Sequence, residues 1–213
     1  MSELNLSRAT ALVFDNHCLF ADSFSSAIEN LHIFPVTRTF YEIEELMSFF
    51  KERSPEQSVL FADYYLPGAN FIAYINELRR ISKRLKIVIV SSLTNPVLLN
   101  NLLTSHIDGF LSKNAKSREI IDCIQTIQTG SIYLSPDTKA VLENSKAIGS
   151  IPFSIRELEI LSYFANGMTV DATAEALNLS RHTIAAHRRK MMAKANSNNI
   201  TELLSFARSI ELI

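Results

Sequence analysis

Asp15, Asn16, Asp63, Ser91 and Lys113 are residues whose types and placement could do chemistry together. Each stands at or just beyond the end of a short apolar run. TALVF precedes Asp15, VLFA precedes Asp63, KIVIV leads into Ser91, and IDGFL precedes Ser112-Lys113. If those runs are parallel strands of one sheet, their carboxyl ends share an edge, where open α/β sheets place their ligands. Carboxylates and an amide oxygen there could hold a divalent cation, since Mg2+ takes oxygen donors in octahedral geometry. A hydroxyl and an ammonium beside them could hold phosphoryl oxygens. Taken singly these residues are ordinary. Asp63 could cap a helix or merely end a strand, and Ser91 and Lys113 could be surface residues. Their joint order along the chain carries the reading.

A second set lies near the other end. Between Arg181 and Lys194 the chain holds Arg181, Arg188, Arg189, Lys190, Lys194 and two histidines, with no acid. At 3.6 residues per turn Ile184, Met191 and Ala195 share an inward face, and His182, Ala185, Ala186 and Arg189 lie opposite. Small residues on that outer face would let a helix sit deep in a DNA major groove, with Arg189 reaching guanine edges. Ser180, Arg181, Thr183, Lys190 and Lys194 are placed for phosphates, aided by the helix N-terminus. The alternative is a solvated basic face.

Two kinds of element must position these groups. Apolar runs predict strands over 10–14, 35–40, 59–62, 86–90 and 107–111, separated by amphipathic helices over 18–31, 41–51, 71–81, 96–103 and 118–128. Pro67-Gly68 breaks the third strand. Such alternation implies a five-stranded, parallel, doubly wound α/β sheet of flavodoxin-like type. From 131 to 152 the character shifts to Gly, Pro and Ser, with Gly149 and Pro152 near its end and a short helix possible over 137–144. This predicts a tether. The last third has no strand signal. Ser154 with Glu157 forms a capping box, Gly167 suits a left-handed helix end, and Ser180 caps the basic helix. A short helix, a turn and a longer helix make a helix-turn-helix, and a fourth helix over 201–210 follows, with Ile210 on its apolar side. The organisation is therefore 9–130 as an α/β domain, 131–152 as linker and 153–213 as an all-α DNA-binding domain.

Composition narrows the classes. The chain has 213 residues, 47% apolar and 20% charged, and a net charge of −1, so any nucleic-acid surface must be local. Its two cysteines, Cys18 and Cys123, have no metal-ligand spacing, which argues against a disulfide framework or structural zinc. No run approaches the roughly 18 apolar residues of a membrane span, and no signal peptide is evident. A cytoplasmic protein is expected.

FDNH at 14–17, FADYYLPG at 61–68, VSS at 90–92 and DGFLSK at 108–113 resemble the receiver domain of two-component response regulators. Phe153 to Ala207 resembles the LuxR-type helix-turn-helix of the NarL/FixJ group through Arg156-Glu157, Gly167, Ala174, Leu177, Ser180, Thr183-Ile184, His187 and Lys194. By that resemblance Asp63 is the phosphoacceptor, and Asp15, Asn16 and Asp63 hold Mg2+. Ser91 and Phe110 are the switch pair, and Lys113 contacts phosphate. His187 is structural. The resemblance implies a non-enzymatic transcription regulator with a sensor histidine kinase, double-stranded DNA, RNA polymerase and a second copy of itself as partners. Phosphorylation would re-pair the surface of the fourth and fifth helices. Departures are Asn16 in place of a second acid, Asn114 in place of a cis-proline, Phe110 in place of Tyr, and Thr173 and Ala195 in place of larger aliphatics. Asn16 removes one negative charge from the cation site. A cis bond before Asn114 would cost about 2.5–4 kcal/mol, so a trans bond is expected there. These departures motivate an alternative, a regulator that binds DNA independently of phosphate under control of a ligand or partner protein. An α/β enzyme using Asp63 as nucleophile lacks any substrate-pocket signature.

Overall fold

The computed structural model describes residues 4–53, 55, 57–66, 69–145 and 153–209. Pro67, Gly68, Gly149, Pro152 and Ile210, named above, lie outside the described residues. A 3-10 turn over Leu6–Arg8 leads into β1 (Thr10–Phe14). Then follow α1 (Cys18–Asn30), β2 (Val36–Phe40), α2 (Ile43–Arg53), β3 (Ser58–Ala62), a two-rung hairpin of β4 (Tyr65–Leu66) and β5 (Ala69–Asn70), α3 (Ile72–Ile81), β6 (Leu85–Ser91), α4 (Pro96–Thr104), β7 (Gly109–Ser112), α5 (Ser117–Gln128), β8 (Tyr133–Leu134) and α6 (Pro136–Ser145). Among the described residues four helices follow: α7 (Ile155–Ala165), α8 (Val170–Ala176), α9 (Arg181–Lys194) and α10 (Ile200–Ser209).

The main sheet is parallel throughout, in the order β2-β1-β3-β6-β7-β8. Side chains alternate across a strand, so each strand feeds two cores. Leu12, Leu60, Ile87, Ile89 and Phe110 pack with Leu46 and Phe50 of α2, Ile75 and Leu78 of α3 and Leu99 of α4. Ala11, Val59, Phe61, Val88 and Leu111 face Ile28 of α1 and Ile120, Ile124 and Ile127 of α5. Burial on both faces explains why these strands read as unbroken apolar runs.

The fold is the expected one, with one strand more in the main sheet than the five anticipated and the β4–β5 hairpin beside it. Tyr133–Leu134 pairs with β7 in parallel, and α6 lies against α4 and β7 with Val141 and Leu142 on the core. The stretch expected as linker, with a short helix over 137–144, carries β8 and α6, which pack onto the sheet. A two-residue strand is too short for any periodicity to reveal.

The C-terminal helices enclose their own core of Phe153, Ile160, Leu161, Phe164, Ile184, Met191, Leu203 and Ala207. Ser154 accepts the Glu157 N–H, and Glu157 Oε2 accepts the Ser154 N–H at 2.7 Å, the expected capping box. Gly167 ends α7 at φ +79°, and Asn178 makes the turn between α8 and α9 at φ +50°, a left-handed conformation Asn tolerates better than most residues. Leu98 of α4 packs against this core, and α7 lies against the β4–β5 hairpin.

Candidate functional site

Register alone brings the first set of residues together. Phe14 of β1 pairs with Ala62 of β3, so Asp15 and Asp63 are the next residues on adjacent strands. Chain order reverses at β1, with β2 on one side and β3 on the other, which makes this edge the topological switch point. Ala62 pairs with Ile89, which places Ser91 one step beyond the level of Asp63. Ser91 pairs with Ser112, which puts Lys113 just past the same edge. The backbone ties the positions: the Asp63 N–H donates to Phe14 O at 2.9 Å and the Lys113 N–H to Ser91 O at 3.0 Å.

Asp15 and Asp63 are only 1% and 2% exposed. Lys113 Nζ straddles them, 2.7 Å from Asp15 Oδ2 and 3.1 Å from Asp63 Oδ2, and lies 4.4 Å from the centroid of the Phe20 ring. Asp63 Oδ1 accepts the Tyr64 N–H at 2.8 Å. Burial pushes the Asp63 carboxyl above its ordinary 3.8; Lys113 pulls it down and the Asp15 charge pushes it up again. Two buried carboxylates therefore share one ammonium. Two nearby oxygens have no hydrogen-bond partner: the buried Oδ1 of Asn16 and Oγ of the fully buried Ser91. Unpaired acceptors beside a net negative charge fit a divalent cation, and an unpaired hydroxyl fits an incoming phosphoryl oxygen.

Phe110 is 1% exposed and lies wholly in the core. The Lys113–Asn114 bond is trans, as expected from the missing proline, since no described peptide bond is cis. One residue at the rim of the pocket, its side chain 68% exposed, was not anticipated. His17 Nδ1 lies 3.1 Å from Asp15 Oδ1, which also accepts the His17 N–H at 2.8 Å. Ligand atoms of Asp15, His17 and Asp63 fall within 4.8 Å of one another. The signal was in view, since His17 stands two residues past Asp15 on the same strand-end turn.

The second set lies on α9. Ile184 and Met191 are fully buried, as the helical spacing predicts, while Ala195 is half-buried. His182, Thr183, Ala186, His187 and Lys190 line a shallow groove, and Arg189 and Lys190 are exposed. Three placements differ from a free basic face. Lys194 Nζ is 2.6 Å from Glu157 Oε2, so its ammonium is engaged within the domain. Burial works to raise the Glu157 pKa, but hydrogen bonds from Lys194 and Ser154 outweigh it and hold the carboxyl below its ordinary range. Arg181 pairs with Asp171 of α8 at 3.0 Å in the open. The hydroxyls of Ser180 and Thr183 lie 2.8 Å apart, and Ser180 Oγ caps the helix. The pairing of Lys194 was not legible in sequence because Glu157 is 37 positions away.

Comparison with known proteins agrees with this geometry. Residues 11–125 match the response regulator receiver domain, and residues 152–207 match the bacterial regulatory proteins of the luxR family. The Fimbriae Z protein of Salmonella typhimurium is 27% identical over 92% of this chain and 85% of its own length. The transcriptional regulatory protein UhpA of Escherichia coli is 27% identical over 91% of this chain and 95% of its own. Among solved structures, RcsB of Salmonella enterica serovar Typhimurium bound to promoter rprA with the phosphomimetic BeF3− superposes with a TM-score of 0.73. It is 21% identical and covers 92% of this chain and 96% of that one. No helix among the described residues is long and apolar enough to cross a membrane.

Proposed function

The chain belongs to the two-component response regulators that join a receiver to a LuxR-type DNA-binding domain, and from that premise we propose that phosphorylation of Asp63 governs its binding to promoters. The observation that carries this is the convergence of Asp15, Asp63 and Lys113 at ion-pair distance on the switch-point edge. An oxygen of Asp63 attacks the phosphorus of a phosphohistidine on a sensor kinase, and the imidazole leaves as that P–N bond breaks. Lys113, already on Asp63 Oδ2, holds a phosphoryl oxygen, and the unpaired Ser91 hydroxyl donates to another. Asp15, Asn16 and Asp63 would hold Mg2+, which supplies positive charge against the phosphoryl oxygens. Phe110 moves with Ser91 as the site fills.

The outer face of α9, with His182 and Ala186 lining the groove and Arg189 exposed, supports the second half of the reading. His182, Ala185, Ala186 and Arg189 face the bases, while Arg181, Lys190 and the capped N-terminus at Ser180 and Thr183 meet phosphates. Lys194 contributes by holding α9 to α7. The protein works in the cytoplasm as a homodimer on an inverted repeat and acts on RNA polymerase. The RcsB structures, one a complex with DNA and one with two dimers bound to two DNAs, support DNA binding and dimers as properties of that relative. The domains divide at the stretch after α6, later than residue 130, because β8 and α6 belong to the receiver.

Acetyl phosphate should add one phosphoryl group, read by mass, and the addition should disappear in Asp63→Ala. Arg189→Ala should abolish specific promoter binding while leaving weak general DNA binding. An unmodified wild type that binds its promoter at full strength would establish the second reading, control by a ligand or partner protein, which Asn16 favours by removing a charge from the cation site.

A further inference from the structure

We propose that the DNA-binding domain, seated on the receiver through α7, leaves α9 open to DNA and covers the first turn of α4, so that the seat controls the pairing of two copies and not access to a half-site. The proposal rests on the regulator reading above and names how that reading is regulated.

The seat has a side on each domain. On the receiver stand Leu98, in the first turn of α4, and the β4–β5 hairpin. Leu98 packs against the core of the DNA-binding domain, and α7 lies against β5. Tyr163 of α7 is buried, yet it stands outside that domain's own core. Burial raises its hydroxyl pKa, with the charges of Glu159 and of Tyr74 on α3 adding to the rise. Tyr64, next to the acceptor, is buried too, and its pKa is raised by burial first, then by Tyr65 and by Glu159 of α7. Leu98, Tyr64 and Tyr74 thus meet Tyr163 and Glu159 across the domain boundary.

The DNA face is elsewhere. Helix α9 packs on α7, α8 and α10 and buries Ile184 and Met191 in the core of its own domain. Its His182, Arg189 and Lys190 remain exposed, and the groove lined by Thr183, Ala186 and His187 is open. A receiver lying over α9 would bury these side chains. What the seat uses up is α4, with α6 on one part of it and the DNA-binding domain on Leu98. A second copy cannot reach that turn while the seat is closed. The seat is narrow, and a small interface between domains opens readily. A state in which a second copy replaces α7 on the receiver then needs only a modest differential affinity. The plainer role is a seat that merely holds two domains together, which predicts that removing it changes neither half-site binding nor pairing.

The experiment uses the full-length protein with a half-site duplex and its inverted repeat, both taken from random sequence selected by the beryllofluoride-loaded protein. In wild type, beryllofluoride should change half-site affinity by less than about twofold and raise affinity for the inverted repeat about tenfold, because pairing links the two half-sites. Tyr163→Ala removes the α7 side of the seat and leaves α4 untouched. It should bind the half-site as wild type does, gain about tenfold on the inverted repeat without beryllofluoride, and sediment as a dimer. Leu98→Asp should bind the half-site equally and stay monomeric even with beryllofluoride. Wild-type half-site affinity that rises more than about twofold with beryllofluoride reveals a masked α9 and overturns the proposal, whether or not the variants fold. So does a Tyr163→Ala protein that binds the half-site normally and gains nothing on the repeat, or a Leu98→Asp protein that pairs normally. The regulator reading fails by separate results, no capture of beryllofluoride or no DNA sequence selected.

Discussion

Asp63 should destabilise the metal-free fold, and Asp63→Asn should therefore be the more stable protein. At an effective dielectric near 20, the Lys113 ammonium 3.1 Å away attracts the Asp63 charge by about 5 kcal/mol. The Tyr64 N–H adds about 1.5–3 kcal/mol as a hydrogen bond to a charged group. Against these stand the Asp15 charge, within 4.8 Å and so repelling by at least about 3.5 kcal/mol, and a desolvation cost of several kcal/mol for a buried ion. The two sides nearly cancel, and the raised pKa places the balance against the charge. An amide keeps the acceptor for Tyr64 and Lys113 and removes both the repulsion and the ionic desolvation. In EDTA at pH 7, Asp63→Asn should gain about 1 kcal/mol by urea denaturation. A group whose folded pKa is raised costs stability above that pKa and none below the unfolded value. The advantage should therefore shrink as pH falls through the folded pKa, which lies above 3.8, and vanish below about 3.9. Saturating Mn2+ or Mg2+ should narrow the gap, since the cation binds the carboxylate form. An Asp63→Asn protein no more stable than wild type in EDTA, or an advantage unchanged down to pH 4, would refute the reasoning.

Lys190 and Lys194 should separate cleanly. Lys190→Ala should lower the slope of log affinity against log salt by about 0.9, one phosphate contact, with fold stability intact. Lys194→Met should leave that slope alone and cost the DNA-binding domain about 1.5–3 kcal/mol by removing the ammonium from Glu157, which keeps only the Ser154 N–H, read by thermal melting. Glu157 has a depressed folded pKa, so its contribution is present above its ordinary 4.5 and lost as pH falls through the lower folded value. Acid melting of wild type should show that loss, and Glu157→Gln should not. Thr173 is 0% exposed and its Oγ1 has no partner. Thr173→Val should therefore stabilise the domain by about 1 kcal/mol in urea denaturation; no gain would mean that the hydroxyl is satisfied.

The parts that were legible in the sequence are those governed by local rules. Strand ends at Asp15, Asp63, Ser91 and Lys113 follow from runs of apolar residues buried on both faces, and parallel pairing then forces those ends to one edge. The capping box of Ser154 and Glu157, the left-handed Gly167 and the inward Ile184 and Met191 are likewise set within a few residues. What escaped depends on partners far along the chain or on very short elements. Lys194 read as a phosphate contact because its charge was visible and its distant acid was not. Strand β8 has two residues and no period of its own, and only the resemblance of GSIYLSP to the end of a receiver pointed to it. His17 was read as part of a motif and not as a side chain beside Asp15.

The position of β8 bears on how a change at Asp63 can travel. A re-pairing of the surface around α4 and α5 requires that surface to be open, yet α6 lies on α4 and Leu98 packs against the core of the DNA-binding domain. The strand that carries Phe110 and Lys113 is joined to the strand that leads into α6. Ser135 Oγ accepts the Ser112 N–H at 3.0 Å, and the Ser135 N–H donates to Phe110 O at 3.0 Å. Lys113 is thus one residue from a ladder whose far side is the start of α6. Contacts run from β7 through β8 and α6 to α4, whose Leu98 lies against the core of the domain that carries α9. In this arrangement α6 covers part of α4, and Leu98 of the same helix is covered by the DNA-binding domain.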